Sequence, residues 1–176
     1  MVKETEEDSL VSLARETVEE LVRNRRTIRP QEPLPQELRE RAGVFVCLKK
    51  HGQLRGCIGT IEPTDQSLAA EVVQNAIGAA TRDPRFEPVV EEELADIEYT
   101  VDVLTVPQAI ESMDDLNPRK YGVIVESGLK RGLLLPDLEG VDTVEDQVMI
   151  ATRKAGIREG EPVQLYRFEV VRHGGS

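Results

Sequence analysis

An α+β fold, with a mixed or antiparallel sheet and three main helices, is what the order of elements in these 176 residues predicts. Three observations lead there. The patterns run helix, hairpin, helix, strand, hairpin, helix, strand, so strands arrive in pairs and singly, without the strict alternation of a doubly wound parallel sheet. Three stretches repeat apolar residues at helical spacing. Asp96 to Leu104 alternates, with Ile97, Tyr99, Val101 and Val103 on one side and Glu98, Thr100 and Asp102 on the other, as a strand with one wet face does.

Taken in order, Thr5 to Asn24 reads as a helix. Thr5 and Asp8 resemble a capping box, and Leu10, Leu13, Ala14, Val18, Leu21 and Val22 recur on one side. Pro30, Pro33 and Pro35 then make a stiff loop. Gly43 to Lys50 and Gln53 to Ile61 are strand-like runs about a His51-Gly52 turn, hence a hairpin. Pro63 to Thr81 reads as a second helix, capped by Thr64 and stopped by Asp83-Pro84. Gln108 to Leu116 suits one or two helical turns. Tyr121 to Glu126 and Gly132 to Leu135 flank a second hairpin signal, Ser127-Gly128. Thr143 with Asp146 opens the third helix, which Gly156 closes, and Val163 to Val171 is a last strand.

The length fits one domain, residues 1–176, or one domain with a smaller lobe. With 39% apolar and 31% charged residues the chain reads as globular, and it can bury enough surface to need no disulfide or metal. A net charge of −11 repels phosphate backbones, so duplex DNA is not an expected partner. The acidic start lacks the pattern of a signal peptide, and no run is long and apolar enough for a membrane helix. Two cysteines in such a chain point to reduced thiols in a cytoplasm. No apolar patch demands a homodimer, although one is compatible with the sequence.

Chemistry concentrates in two segments. In LRGCIGT, residues 54–60, Gly56 and Gly59 bracket Cys57. Glycine in a strand weakens it unless a ligand or a neighbouring backbone must come close. Arg55 lies two residues from Cys57, on the same face of a regular strand, where a guanidinium favours thiolate. A two-residue or four-residue loop sets Cys57 opposite Val46 and the cysteines on opposite faces, which forbids a disulfide between Cys47 and Cys57; a three-residue loop would bring them face to face. Buried free cysteine also serves as a small hydrophobe, and that is the default for Cys47. In TRDPRFEP, residues 81–88, two prolines hold Asp83, Arg85 and Phe86 in a fixed arrangement. Asp83 is placed to hold an arginine or act as a base, and Phe86 to line a pocket. An ordinary rigid loop with a surface ion pair accounts for the same residues. His51 and His173 lack ligands at metal spacing, no phosphate-binding glycine motif occurs, and no cofactor is called for. Glu91-Glu92-Glu93 reads as a solvated helix start.

LRGCIGT at 54–60, TRDPRFEP at 81–88 and RGLLLP at 131–136 together resemble the AMMECR family, whose prokaryotic members belong to the AmmeMemoRadiSam system. The resemblance implies an α+β fold with a larger and a smaller lobe forming a cleft, but no particular reaction. It also implies a nucleotide-like or other small ligand, and pathway partners of the Memo-like and radical SAM kinds. Carried over by position, Arg55, Gly56, Cys57, Gly59, Asp83, Arg85 and Phe86 would gather in that cleft. Two expectations follow. In the first, Cys57 is a reacting thiol and Asp83 moves a proton. Arg55 and Arg85 grip a small anion or modified base, and Gly56 and Gly59 give it room. In the second, the module binds a peptide or partner without catalysis and Cys57 is structural; the lack of a histidine near Cys57 favours this.

Overall fold

The computed structural model describes residues 7–175. In chain order its elements are α1 (Ser9–Asn24), α2 (Gln36–Arg39), β1 (Val44–Lys50), β2 (Gln53–Thr60), α3 (Leu68–Thr81), a 3-10 turn (Glu91–Asp96), β3 (Ile97–Leu104), β4 (Gln108–Ile110), a second 3-10 turn (Met113–Asp115), β5 (Gly122–Ser127), β6 (Lys130–Leu134), α4 (Val144–Ala155), β7 (Gln164–Phe168) and β8 (Val170–His173). The class is α+β, with two four-stranded sheets in place of one: β2-β1-β3-β8 and β4-β7-β5-β6. The chain divides into two compact units, Leu104–Val170 and the residues on either side of it. No described helix is long and apolar enough to cross a membrane.

In the first unit, Val44, Val46 and Leu48 of β1 and Tyr99 and Val101 of β3 turn one sheet face onto Leu10, Ala14 and Val18 of α1 and Val72, Ala76 and Ala79 of α3. The three-and-four spacing of the helical residues lets each helix present one apolar stripe to a pleated face that repeats every second residue. In the second unit, α4 packs Ala151 against Val123 and Val125 of β5 and Leu134 of β6, with Ile110, Val141 and Ile157 closing that core.

Several boundaries differ from the periodicity. Thr5 lies outside the described residues; α1 starts at Ser9, and the Asp8 carboxylate accepts the Leu10 and Val11 N–H groups. Ser67, not Thr64, caps α3, because Glu71 takes the Thr64 N–H and hydroxyl instead. Gln108–Ile110 is a strand paired with β7, and only Met113–Asp115 is helical. The run from Val163 to Val171 is split by Glu169, with β7 in one sheet and β8 in the other. Both halves carry strand-forming residues, so a local pattern has no means of showing the change of sheet.

Candidate functional site

The hairpin of β1 and β2 positions every residue of the first motif. His51 and Gly52 both have positive φ, 51° and 75°, the backbone of a tight two-residue hairpin turn. That turn pairs Lys50 with Gln53 and Lys49 with Leu54. Beyond it the ladder slips. Arg55 is an extra residue on β2, so Leu48 faces Gly56 and Cys47 faces Cys57. The expected register, with Cys57 opposite Val46, is therefore corrected by a β-bulge. So is the expectation of two separate reduced thiols: Cys47 and Cys57 are joined by a disulfide, their Cα atoms 4.1 Å apart. A bulge moves every later side chain to the other face.

The bulged residue is held from far along the chain. Arg55 Nε and Nη2 donate to the two oxygens of Glu93, at 2.9 and 3.0 Å. Lys50 Nζ joins the same carboxylate at 3.2 Å. The Arg55 guanidinium also lies 5.9 Å from the Phe86 ring centroid. Arg55 and Glu93 are each about 15% exposed, and the Arg55 hydrogen bonds hold the Glu93 carboxyl down at about 2 in spite of burial. Glu93, read from sequence as a solvated helix start, is thus the anchor of the bulge. Arg55 Nη1 is buried without a hydrogen-bond partner among the described residues.

The second motif grips Cys57 from the other side. β2 is an edge strand. A facing pair as close as Cys47 and Cys57 is of the non-hydrogen-bonded kind, whose N–H and C=O groups point away from the partner strand. On β2 they would be orphans. Asp83 Oδ2 accepts the Cys57 N–H at 3.0 Å, and Arg85 Nη2 donates to the Cys57 carbonyl at 3.4 Å. Asp83 and Arg85 are tied together by Nε to Oδ1 at 3.0 Å and Nη2 to Oδ2 at 2.8 Å. Arg85 above all, then the Cys57 and Arg85 N–H groups, outweigh burial and hold the Asp83 carboxyl well below its usual range. So firm a carboxylate is a poor proton carrier near neutral pH. Phe86 follows at the loop's surface, its ring 5.5 Å from the Arg85 guanidinium.

Both glycines are explained by neighbours. A Cβ on Gly56 would overlap the Ala79 carbonyl of α3, and one on Gly59 would overlap the Phe45 ring across the hairpin. Of the two reasons for glycine in this strand, close approach by other parts of the chain is the one observed.

Sequence reasoning missed one further group. Glu71 is 1% exposed and accepts from the Thr60 and Thr64 hydroxyls and the Thr64 and Asp65 N–H groups. Burial pushes its carboxyl up, and these hydrogen bonds bring it below the ordinary value. Asn75, one helical turn on, donates to the Val44 carbonyl at 3.1 Å. An acid and an amide four apart on the apolar stripe of the helix, Glu71 and Asn75, were the available signal.

A family model described as AMMECR1 matches residues 11–173. A protein of Thermotoga maritima is 52% identical over 170 residues, covering 95% of this chain and 98% of that protein. One of Clostridium acetobutylicum is 47% identical over 179 residues, covering 99% of this chain and 37% of a longer protein. The crystal structure of an uncharacterized protein from Pyrococcus horikoshii matches with a TM-score of 0.85 at 34% identity, over 93% of this chain and 88% of that one.

Proposed function

Starting from the fact that the chain belongs to the AMMECR1 family, we propose that it is a partner-binding module, with LRGCIGT and TRDPRFEP building a rigid recognition surface anchored by Phe86 and Arg85. One observation carries this reading: the polar groups of the two motifs are largely spent within the chain. Asp83 and Arg85 hold the Cys57 backbone, and Arg55 holds Glu93. A guanidinium whose fork already holds a carboxylate has less to offer a ligand anion. What remains outward is the half-exposed Arg85 side chain against the Phe86 ring, with exposed Leu54 and Val90 beside the Arg55–Glu93 pair. Aromatic and arginine side chains on a rigid base are the usual anchors of protein interfaces. The partners we propose are Memo-like and radical SAM proteins of the same pathway.

The test is calorimetric titration against a purified Memo-like protein and a purified radical SAM protein. Phe86→Ala is expected to weaken binding about tenfold or more while circular dichroism stays unchanged. Cys57→Ser is expected to bind as the parent does. No binding by the parent, or full binding by Phe86→Ala, overturns the reading.

A second reading, a small-anion site at Arg55, is favoured by Arg55 Nη1, which is buried and has no hydrogen-bond partner among the described residues. Its test is a thermal-shift titration with inorganic phosphate and AMP. A shift that Arg55→Lys abolishes supports it, and no shift removes it.

A further inference from the structure

We propose that Cys47 and Cys57 form a reversible thiol–disulfide couple, entered at the Cys57 sulfur, that exchanges with low-molecular-weight thiols and disulfides of the glutathione class while the hairpin stays folded. The inference does not rest on the partner-binding reading, although the Asp83–Arg85 clamp and the Arg55–Glu93 pair serve both.

The first argument is access. Along β1 the buried positions are Val44, Val46 and Leu48, and the half-buried ones between them are Phe45 and Cys47. The sulfur pair therefore lies on the sheet face turned away from the core of α1 and α3. Cys57 is half-buried too. Cys47 sits on β1, flanked by β2 and β3, where Thr100 is its other neighbour. Cys57 sits on the edge strand. A thiolate must approach along the axis of the S–S bond, and beyond Cys57 no further strand follows, only the Asp83–Arg85 pair on its backbone, so Cys57 is the sulfur approached.

The second argument is that the two Cα atoms are held without the S–S bond. The His51–Gly52 turn starts the register, and the Arg55 bulge, fixed by Glu93 and Lys50, sets it at the cysteines. Gly56 seats against Ala79. Asp83 and Arg85 clamp the Cys57 N–H and C=O. On its other side Cys47 is laddered to Thr100. Opening the disulfide removes one bond from a site that several others position, so the two thiols stay within reach of each other. A dithiol held in that way recloses as an intramolecular step with high effective concentration. The bridge also closes a hairpin only ten residues apart in sequence. Short loops gain less from cross-linking than long ones, which suits a redox centre better than a structural staple.

The step balances as follows. A thiolate attacks the Cys57 sulfur, forming a mixed disulfide and releasing Cys47 as thiolate. A second thiolate attacks the outer sulfur of the mixed disulfide, releasing the small disulfide and Cys57 as thiolate. Two thiols lose one electron each, the protein cystine gains two, and the protein thiolates take protons from solvent. Oxidation by the small disulfide is the reverse.

The experiment equilibrates the native chain in buffers of varied reduced to oxidised glutathione ratio. Samples are quenched by alkylation and read by intact-mass spectrometry, with hydrogen exchange followed in parallel. The expected result is one two-electron transition under native conditions, with protection of β1 and β2 retained in the dithiol. Single-cysteine variants locate the entry point. Cys47→Ser, which keeps Cys57, is expected to take up glutathione from its disulfide about tenfold faster than Cys57→Ser. The proposal is overturned if exchange needs denaturant, if reduction opens the hairpin, or if the two variants react at equal rates.

Discussion

The Asp83 carboxylate accepts the backbone N–H of Cys57 at 3.0 Å, across 26 residues of sequence, from the open side of an edge strand. That contact makes Asp83 a structural clamp on the motif that carries the cysteine. Removing it leaves an orphan N–H and releases Arg85. Asp83→Ala is therefore expected to cost about 2–4 kcal/mol, and Arg85→Ala, at a half-exposed partner, about 1 kcal/mol. Urea denaturation of the two variants checks the ranking, which fails if Arg85→Ala is the more damaging.

Acid should weaken this region in a defined window. Glu93 titrates at about 2 in the folded chain, with Arg55 the chief cause, against about 4.3 when unfolded. Asp83 is also depressed, by Arg85 first. Groups lowered on folding contribute fully above their unfolded values, and the contribution is lost as pH falls toward the folded ones. Stability should thus decline from about pH 4 downward. Glu93→Gln should be less stable at neutral pH and show a shallower decline, read from urea midpoints along a pH series. A decline as steep as the parent's would rule Glu93 out as a source.

Gly56 has no room for a methyl group, because the Ala79 carbonyl occupies the Cβ position. Backbone cannot swing aside as a side chain can, so Gly56→Ala must lift α3 from β2 and should cost about 2 kcal/mol or more. Gly59→Ala meets only the Phe45 ring, which can rotate, and should cost less. Thermal melts of both variants give the comparison; equal losses would contradict it.

Glu71 joins the end of β2 to the start of α3 through four donors. Glu71→Gln keeps the shape but turns one acceptor into a donor, facing the Thr64 and Asp65 N–H groups or the two hydroxyls. A loss of about 2–3 kcal/mol is expected, together with faster hydrogen exchange in residues 61–67. Unchanged exchange there would mean that the loop is held by something else.

Much of the fold was legible because it is local. The stripe of Leu10, Ala14 and Val18, the inward Ile97, Tyr99 and Val101 of β3, the His51–Gly52 turn and the Gly156 stop of α4 follow from residues within a few positions of one another; Asp102, read as wet, is instead buried against Arg172, 70 residues away. The second motif was also visible as a stiff loop carrying Asp83, Arg85 and Phe86. Less local features were misread. Glu93 looked like solvent-facing charge because Arg55, its partner, is 38 residues away.

By itself, then, the sequence determined the α+β class, the main helices, the turns and the two segments where polar and glycine residues cluster, since propensity and periodicity act over one or two turns of chain. The tertiary structure alone decided the register of β2. A turn counts residues from its own end, but the bulge residue Arg55 is held by a carboxylate 38 positions away, and one inserted residue reverses every side chain beyond. That single displacement brings Cys47 and Cys57 together.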